Sequence, residues 1–128
     1  MKKKEYCETK NQIKFVGIHL IVELWEGSGL TSIPKIEKIM QDCVKSCGAT
    51  LLKIDLHKFS PSGGITGVAI LQESHISIHT WPEYRYAAFD IFLCGNLDPF
   101  QAVAVLKKGF KTNHIQISEF KRGVLPNA

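Results

Sequence analysis

The chain of 128 residues lacks any run near the roughly 20 apolar residues that span a bilayer. Its longest candidate, around Val16 to Trp25, is broken by His19 and Glu23, so no membrane partner is expected. The basic start, MKKKEYCETK, is not followed by the apolar core of a signal peptide. Residues 1–12 therefore read as a flexible arm, and a cytoplasmic location is expected. Cysteine is scarce, with four in all, and without a secretory signal they do not read as a disulfide framework. Cys43 and Cys47 share a helix face but have no partners at metal-ligand spacing; they read as buried apolar residues. Three basic residues, Lys2 to Lys4, account for most of the net charge of +4. The rest is nearly balanced and shows no basic patch interleaved with aromatics, which argues against nucleic acid. There is no internal repeat, and the length fits a single domain, 1–128.

What is present is a strand and helix pattern. Residues 13–25 alternate Val16, Ile18, Leu20, Val22 and Leu24 against a mixed face, which predicts a strand. Ser32 can cap a helix running to about Cys47, with Ile33, Ile36, Ile39, Met40, Cys43, Val44 and Cys47 on one face. Gly48 suits the left-handed residue that ends it. ATLLKIDLHKF predicts a strand with Leu52, Ile54 and Leu56 inward, and ITGVAILQ one buried on both faces. SHISIHTW sets His75, Ser77 and His79 on one strand face, opposite Ile76 and Ile78. YAAFDIFLCG is a further strand. Asp98 and Pro99 predict the start of a helix through about Lys108, and HIQISEF the last strand. Short turns between consecutive strands favour antiparallel pairing. The expected fold is α+β, a two-layer sandwich of a mainly antiparallel sheet with two helices on one face.

The densest chemistry lies in ESHISIHTWPE, residues 73–83. The plain reading is a solvated sheet face. A serine-hydrolase reading lacks the G-x-S-x-G elbow. A zinc reading fails on distance, because four strand residues separate His75 from His79 by roughly 13 Å. The Glu-Ser pair fits another chemistry. A serine hydroxyl can attack the carbonyl before it, turning the peptide into an ester. Loss of the serine Cα proton then expels the carboxylate, and the new N-terminus hydrolyses to a pyruvoyl group. This needs strain at the bond, donors for the oxyanion and a nearby base.

ESHISIHTWPEYRYAAFDIFLCG resembles the self-processing segment of the small prokaryotic S-adenosylmethionine decarboxylases. GIHLIVELW, CGAT, HKFSPSGGITGV and LDPFQAVAVLKKGF extend the resemblance from about Gly17 to Gly123. It implies cleavage between Glu73 and Ser74 into a β chain, 1–73, and an α chain, 74–128, that begins with a pyruvoyl group made from Ser74. That group is the implied cofactor, without metal or pyridoxal phosphate. It would form a Schiff base with the substrate amine and act as the electron sink for decarboxylation. The resemblance assigns His79 as the acceptor of the serine Cα proton and Cys94 as the proton donor to the substrate carbon; from the residues alone Cys94 reads equally as a small buried side chain. Glu83 would bind the ribose hydroxyls, and Phe59 and Trp81 would stack on the adenine. Thr66 stands where relatives commonly have a serine that assists processing, and keeps the hydroxyl.

The implied reaction yields the aminopropyl donor for spermidine synthesis, in a homodimer with sites between protomers. The chain departs from common family patterns at Ile18 in Gly17-Ile18-His19, at Arg85 in place of a glycine, and in a loop, SPSGGIT, one residue longer. These leave open a pyruvoyl decarboxylase of arginine or ornithine. A non-catalytic homologue is the third reading, opposed by intact Glu73, Ser74, His79 and Cys94.

Overall fold

The computed structural model describes residues 13–125 together with the backbone of Cys7–Glu8. The elements run β1 (Cys7–Glu8), β2 (Lys14–Trp25), α1 (Ile33–Ser46), β3 (Leu51–Lys58), β4 (Ile65–Leu71), β5 (Ser74–Trp81), a single 3₁₀ turn (Pro82–Tyr84), β6 (Tyr86–Cys94), α2 (Gln101–Phe110) and β7 (Ile115–Val124). All pairings are antiparallel, and the strands lie in the order β7-β2-β6-β5-β4-β3. The short β1 also pairs with β2, through Cys7 to Phe15 and Glu8 to Lys14. The rest of the expected arm lies outside the described residues.

Both helices pack on one sheet face, as the α+β sandwich requires. Leu20, Val22 and Leu24 of β2, Ile76 and Ile78 of β5, and Phe89, Ile91 and Leu93 of β6 are buried with Ile36, Met40, Leu106 and Phe110 of the helices. Each such side chain contributes about 1.5–3 kcal/mol through burial. Ser32 caps α1 by accepting the Lys35 N–H at 3.3 Å, and Gly48 follows with φ +71°. Cys43 sits in the core against Ala102 of α2 and Cys47 against Pro99 just before it, and burial pushes the Cys43 thiol up.

Four expectations need correction. Leu52 is exposed, because a bulge between Leu51 and Lys53 interrupts the edge strand β3; only Ile54 and Leu56 turn toward the core. β4 is buried on one face only: Thr66 and Ile70 are exposed, since no layer among the described residues covers that side. α2 begins at Gln101 and ends at Phe110. Asp98 still organises its entry by accepting the Phe100 N–H at 2.9 Å, but the backbone there makes tighter i to i+3 bonds before the α-helix is established. β7 extends to Val124, paired along β2 from Leu24 back to Phe15.

The second sheet face is open among the described residues. Alternation puts His19 and Glu23 of β2, His75, Ser77, His79 and Trp81 of β5, Asp90 and Phe92 of β6, and Thr66 of β4 on it.

Candidate active site

A two-residue turn, Gln72 and Glu73, joins β4 to β5 and leaves Leu71 paired with Ser74. Glu73 is buried, and its carboxylate accepts the Thr50 N–H at 2.8 Å. Its carbonyl oxygen accepts the Cys94 N–H at 2.9 Å. Ser74 has φ +130°, a region that side chains with a Cβ rarely adopt and that costs about 1–3 kcal/mol. Strict alternation would send Ser74 to the helix face with Ile76. Instead its hydroxyl lies 3.2 Å from His75 Nδ1, a ring on the open face. Cys94 ends β6, half-buried, beside the same peptide. The close pairing of β2 and β6 there depends on Gly17: a Cβ at that position would stand 2.4 Å from the Leu93 carbonyl oxygen.

Beyond Ser74 runs a polar chain across three strands. Asp90 Oδ1 receives His75 Nε2 at 2.9 Å and His19 Nε2 at 3.0 Å, and the Ser77 hydroxyl donates to Oδ2. Burial alone would disfavour the charged carboxylate, but the bonds from Ser77, His19 and His75 outweigh it and hold Asp90 below the usual range. Arg122 of β7 lies 2.8 Å from His19 Nδ1. A guanidinium only donates, so Nδ1 accepts and the His19 proton is on Nε2, facing Asp90. The same logic applies to His75. An ionised carboxylate only accepts, so the neutral His75 ring carries its proton on Nε2 and its lone pair on Nδ1, toward Ser74. His19, His75 and Asp90 hold donor atoms within 4.8 Å of one another, a grouping that could suit a metal. The proton fixed on His19 Nε2 by Arg122 stands where such a bond would form.

A second group occupies the other end of β5. Thr66 Oγ1 hydrogen-bonds His79 Nδ1. Trp81 packs on His79 with centroids 4.0 Å apart, and Phe59 lies 6.2 Å away on the exposed β3–β4 loop. Trp81 also stacks on Tyr86, whose hydroxyl donates to Glu23 at 2.8 Å; burial and that carboxylate push Tyr86 up to about 12. Glu83 is exposed in the 3₁₀ turn. Between the two ends lies a shallow groove of about 350 Å³, lined by Glu23, Thr66, Ser77, His79 and Asp90 among others. Two larger depressions, of about 600 and 520 Å³, are lined by lysines around α2 and lie apart from the open face.

Of the residues singled out in the sequence, Glu73, Ser74 and Cys94 meet, and Thr66, His79, Phe59 and Trp81 meet. The two groups do not meet each other within one chain: five strand residues put His79 roughly 16 Å from Ser74. Arg85 is exposed, at φ +51°, and donates to the Glu26 carbonyl oxygen. Ile18 packs against the core, opposite His19. Sequence reasoning missed Asp90, His19 and Arg122 and the Cys94 amide. A lone charged or imidazole side chain inside an apolar strand was the available signal for the first two.

The sequence model described as S-adenosylmethionine decarboxylase matches residues 18–123. The chain is 50% identical over 116 residues to an S-adenosylmethionine decarboxylase proenzyme of Methanococcus maripaludis strain C5, covering 88% of this chain and 94% of that one. A protein of the same name from Thermomicrobium roseum is 40% identical over 114 residues, covering 88% and 98%. The crystal structure of the adenosylmethionine decarboxylase of Aquifex aeolicus superposes with a TM-score of 0.76 at 27% identity, covering 89% of this chain and 96% of that one. None of these relatives carries the name of an arginine or ornithine decarboxylase. Matched along nearly its whole described length, the chain belongs to the S-adenosylmethionine decarboxylase family.

Proposed function

We propose that this chain is a proenzyme that cuts itself between Glu73 and Ser74 and then decarboxylates S-adenosylmethionine through the pyruvoyl group so formed. The observation that carries the reading is the Glu73–Ser74 junction, with Ser74 at φ +130° and the Glu73 carbonyl oxygen 2.9 Å from the Cys94 N–H. Attack by the Ser74 hydroxyl puts negative charge on that oxygen, and the Cys94 amide is already aimed at it. One such preorganised donor is worth about 3 kcal/mol of barrier. The residues fit the group they would make: strain favours leaving the amide, and the donor favours the tetrahedral state.

Conversion of the ester to the pyruvoyl end needs a base at the Ser74 Cα. His79, roughly 16 Å away along its own strand, cannot be that base within one chain. It serves Ser74 of a second copy in a homodimer formed through the open faces, with Thr66 holding its ring at Nδ1. The exposed apolar side chains of that layer, Ile70 among them, gain cover in the same step. The pyruvoyl carbonyl supplies the sink for the electrons released as carbon dioxide leaves. Phe59 and Trp81 stack on the adenine, Glu83 binds the ribose hydroxyls, and the Cys94 thiol, beside the new terminus, returns a proton to the substrate carbon.

Release of labelled carbon dioxide from carboxyl-labelled S-adenosylmethionine, arginine and ornithine tests the reading. Release from S-adenosylmethionine alone is expected. Release from either amino acid instead would overturn the substrate assignment.

A further inference from the structure

We propose that His75, not only His79, is a catalytic base of self-processing, and that it acts first, on the Ser74 hydroxyl of its own chain. The inference rests on the self-cleavage reading above and divides that reaction between two histidines. His75 Nδ1 is 3.2 Å from Ser74 Oγ, and its Nε2 is 2.9 Å from Asp90 Oδ1. The carboxylate accepts, so the neutral ring has its proton on Nε2 and its Nδ1 lone pair facing the hydroxyl. Ser74, His75 and Asp90 thus form a relay of nucleophile, base and orienting carboxylate, the geometry by which a weak hydroxyl is activated. His19, held on Asp90 by Arg122, and Ser77 complete the support of that carboxylate.

The step balances without a co-reactant. Nδ1 takes the hydroxyl proton as Oγ bonds to the Glu73 carbonyl carbon, and the carbonyl electrons move to the oxygen held by the Cys94 N–H. That oxyanion collapses, the carbon–nitrogen bond breaks, and the imidazolium returns the proton to the Ser74 nitrogen. The product is an ester between Glu73 and the Ser74 oxygen, with a free amine, and His75 is neutral again. Only then is the Cα proton removed, which is the part left to His79. The two imidazoles face different atoms: His75 touches Oγ, while His79 bonds Thr66.

Hydroxylamine separates the two steps, because it cleaves esters far faster than amides. In His79→Ala the ester cannot proceed, so hydroxylamine should cut the chain between residues 73 and 74 at the rate of ester formation. Adding His75→Ala or His75→Gln should slow that cut by about 100-fold, the low end of general-base catalysis. Free imidazole should restore much of the rate to the His75→Ala, His79→Ala chain. An unchanged rate, within twofold, overturns the role of His75 while leaving self-cleavage intact. Slowing that imidazole does not relieve in the alanine variant also overturns it, since the loss is then one of shape. Absence of any hydroxylamine-sensitive bond in His79→Ala overturns the self-cleavage reading itself, and this inference with it.

Discussion

The strain at Ser74 can be measured by exchanging one uncleavable side chain for another. Ser74→Ala and Ser74→Gly both remove the hydroxyl and its contact with His75, so both precursors stay intact and are compared like with like. Alanine keeps a Cβ at φ +130° and retains a strain of about 1–3 kcal/mol. Glycine is released from it, but a glycine in a strand gives up about 0.5–1 kcal/mol relative to alanine through chain entropy. The central values predict that Ser74→Gly is more stable than Ser74→Ala by about 1 kcal/mol. At about 4 °C per kcal/mol for a domain of this size, the melting temperature should rise by several degrees. Urea denaturation of the two variants at equal protein concentration measures it, with the concentration held fixed because an oligomer couples stability to it. This is opposite to the usual order of alanine and glycine in a strand. If Ser74→Ala is equal to or above Ser74→Gly, the backbone is not strained there, and ground-state strain drops out of the account of cleavage.

Cys94→Ala should still be cut, since the donor to the Glu73 carbonyl is a backbone amide, yet lose carbon dioxide release by 100-fold or more if the thiol is the proton donor; mass and label release separate the two. Co-expression of His79→Ala with Ser74→Ala should give cleavage of about half the His79→Ala chains, the share that pairs at random with the other variant in a two-fold dimer. No cleavage in the mixture would place the base within the chain. The bonds to Asp90 hold its folded-state value below the usual carboxylate range. They therefore stabilise the fold above the unfolded value near pH 3.9 and are lost as pH falls through the lowered folded value. Acid unfolding of wild type should steepen below about pH 4, and Asp90→Asn should flatten that slope; identical slopes would deny Asp90 its network. Arg85→Gly should leave carbon dioxide release within twofold, because Arg85 is exposed and reaches the Glu26 carbonyl oxygen; a larger loss would put it in the substrate site.

Period-2 and period-3.6 patterning carried most of the fold into view, because each strand and helix buries one face. Leu52 was misplaced because a bulge shifts the alternation, and a bulge in an edge strand leaves no mark in an apolar run. β4 read as doubly buried because its apolar run continues onto the open face, where Ile70 is exposed and no described layer covers it. The site divides in the same way. The Glu73–Ser74 junction is legible because its two residues are adjacent in sequence. Asp90, His19 and Arg122 are linked to one another only through strand register, across 71 and 103 residues. The φ of Ser74 is likewise silent, since no glycine marks it.

Intact mass of the purified protein under denaturing conditions tests the central claim most directly. Two fragments meeting between residues 73 and 74, the second starting with a pyruvoyl group and therefore blocked to N-terminal sequencing, are the predicted result. A single uncut chain in freshly prepared material that releases carbon dioxide from S-adenosylmethionine would contradict it.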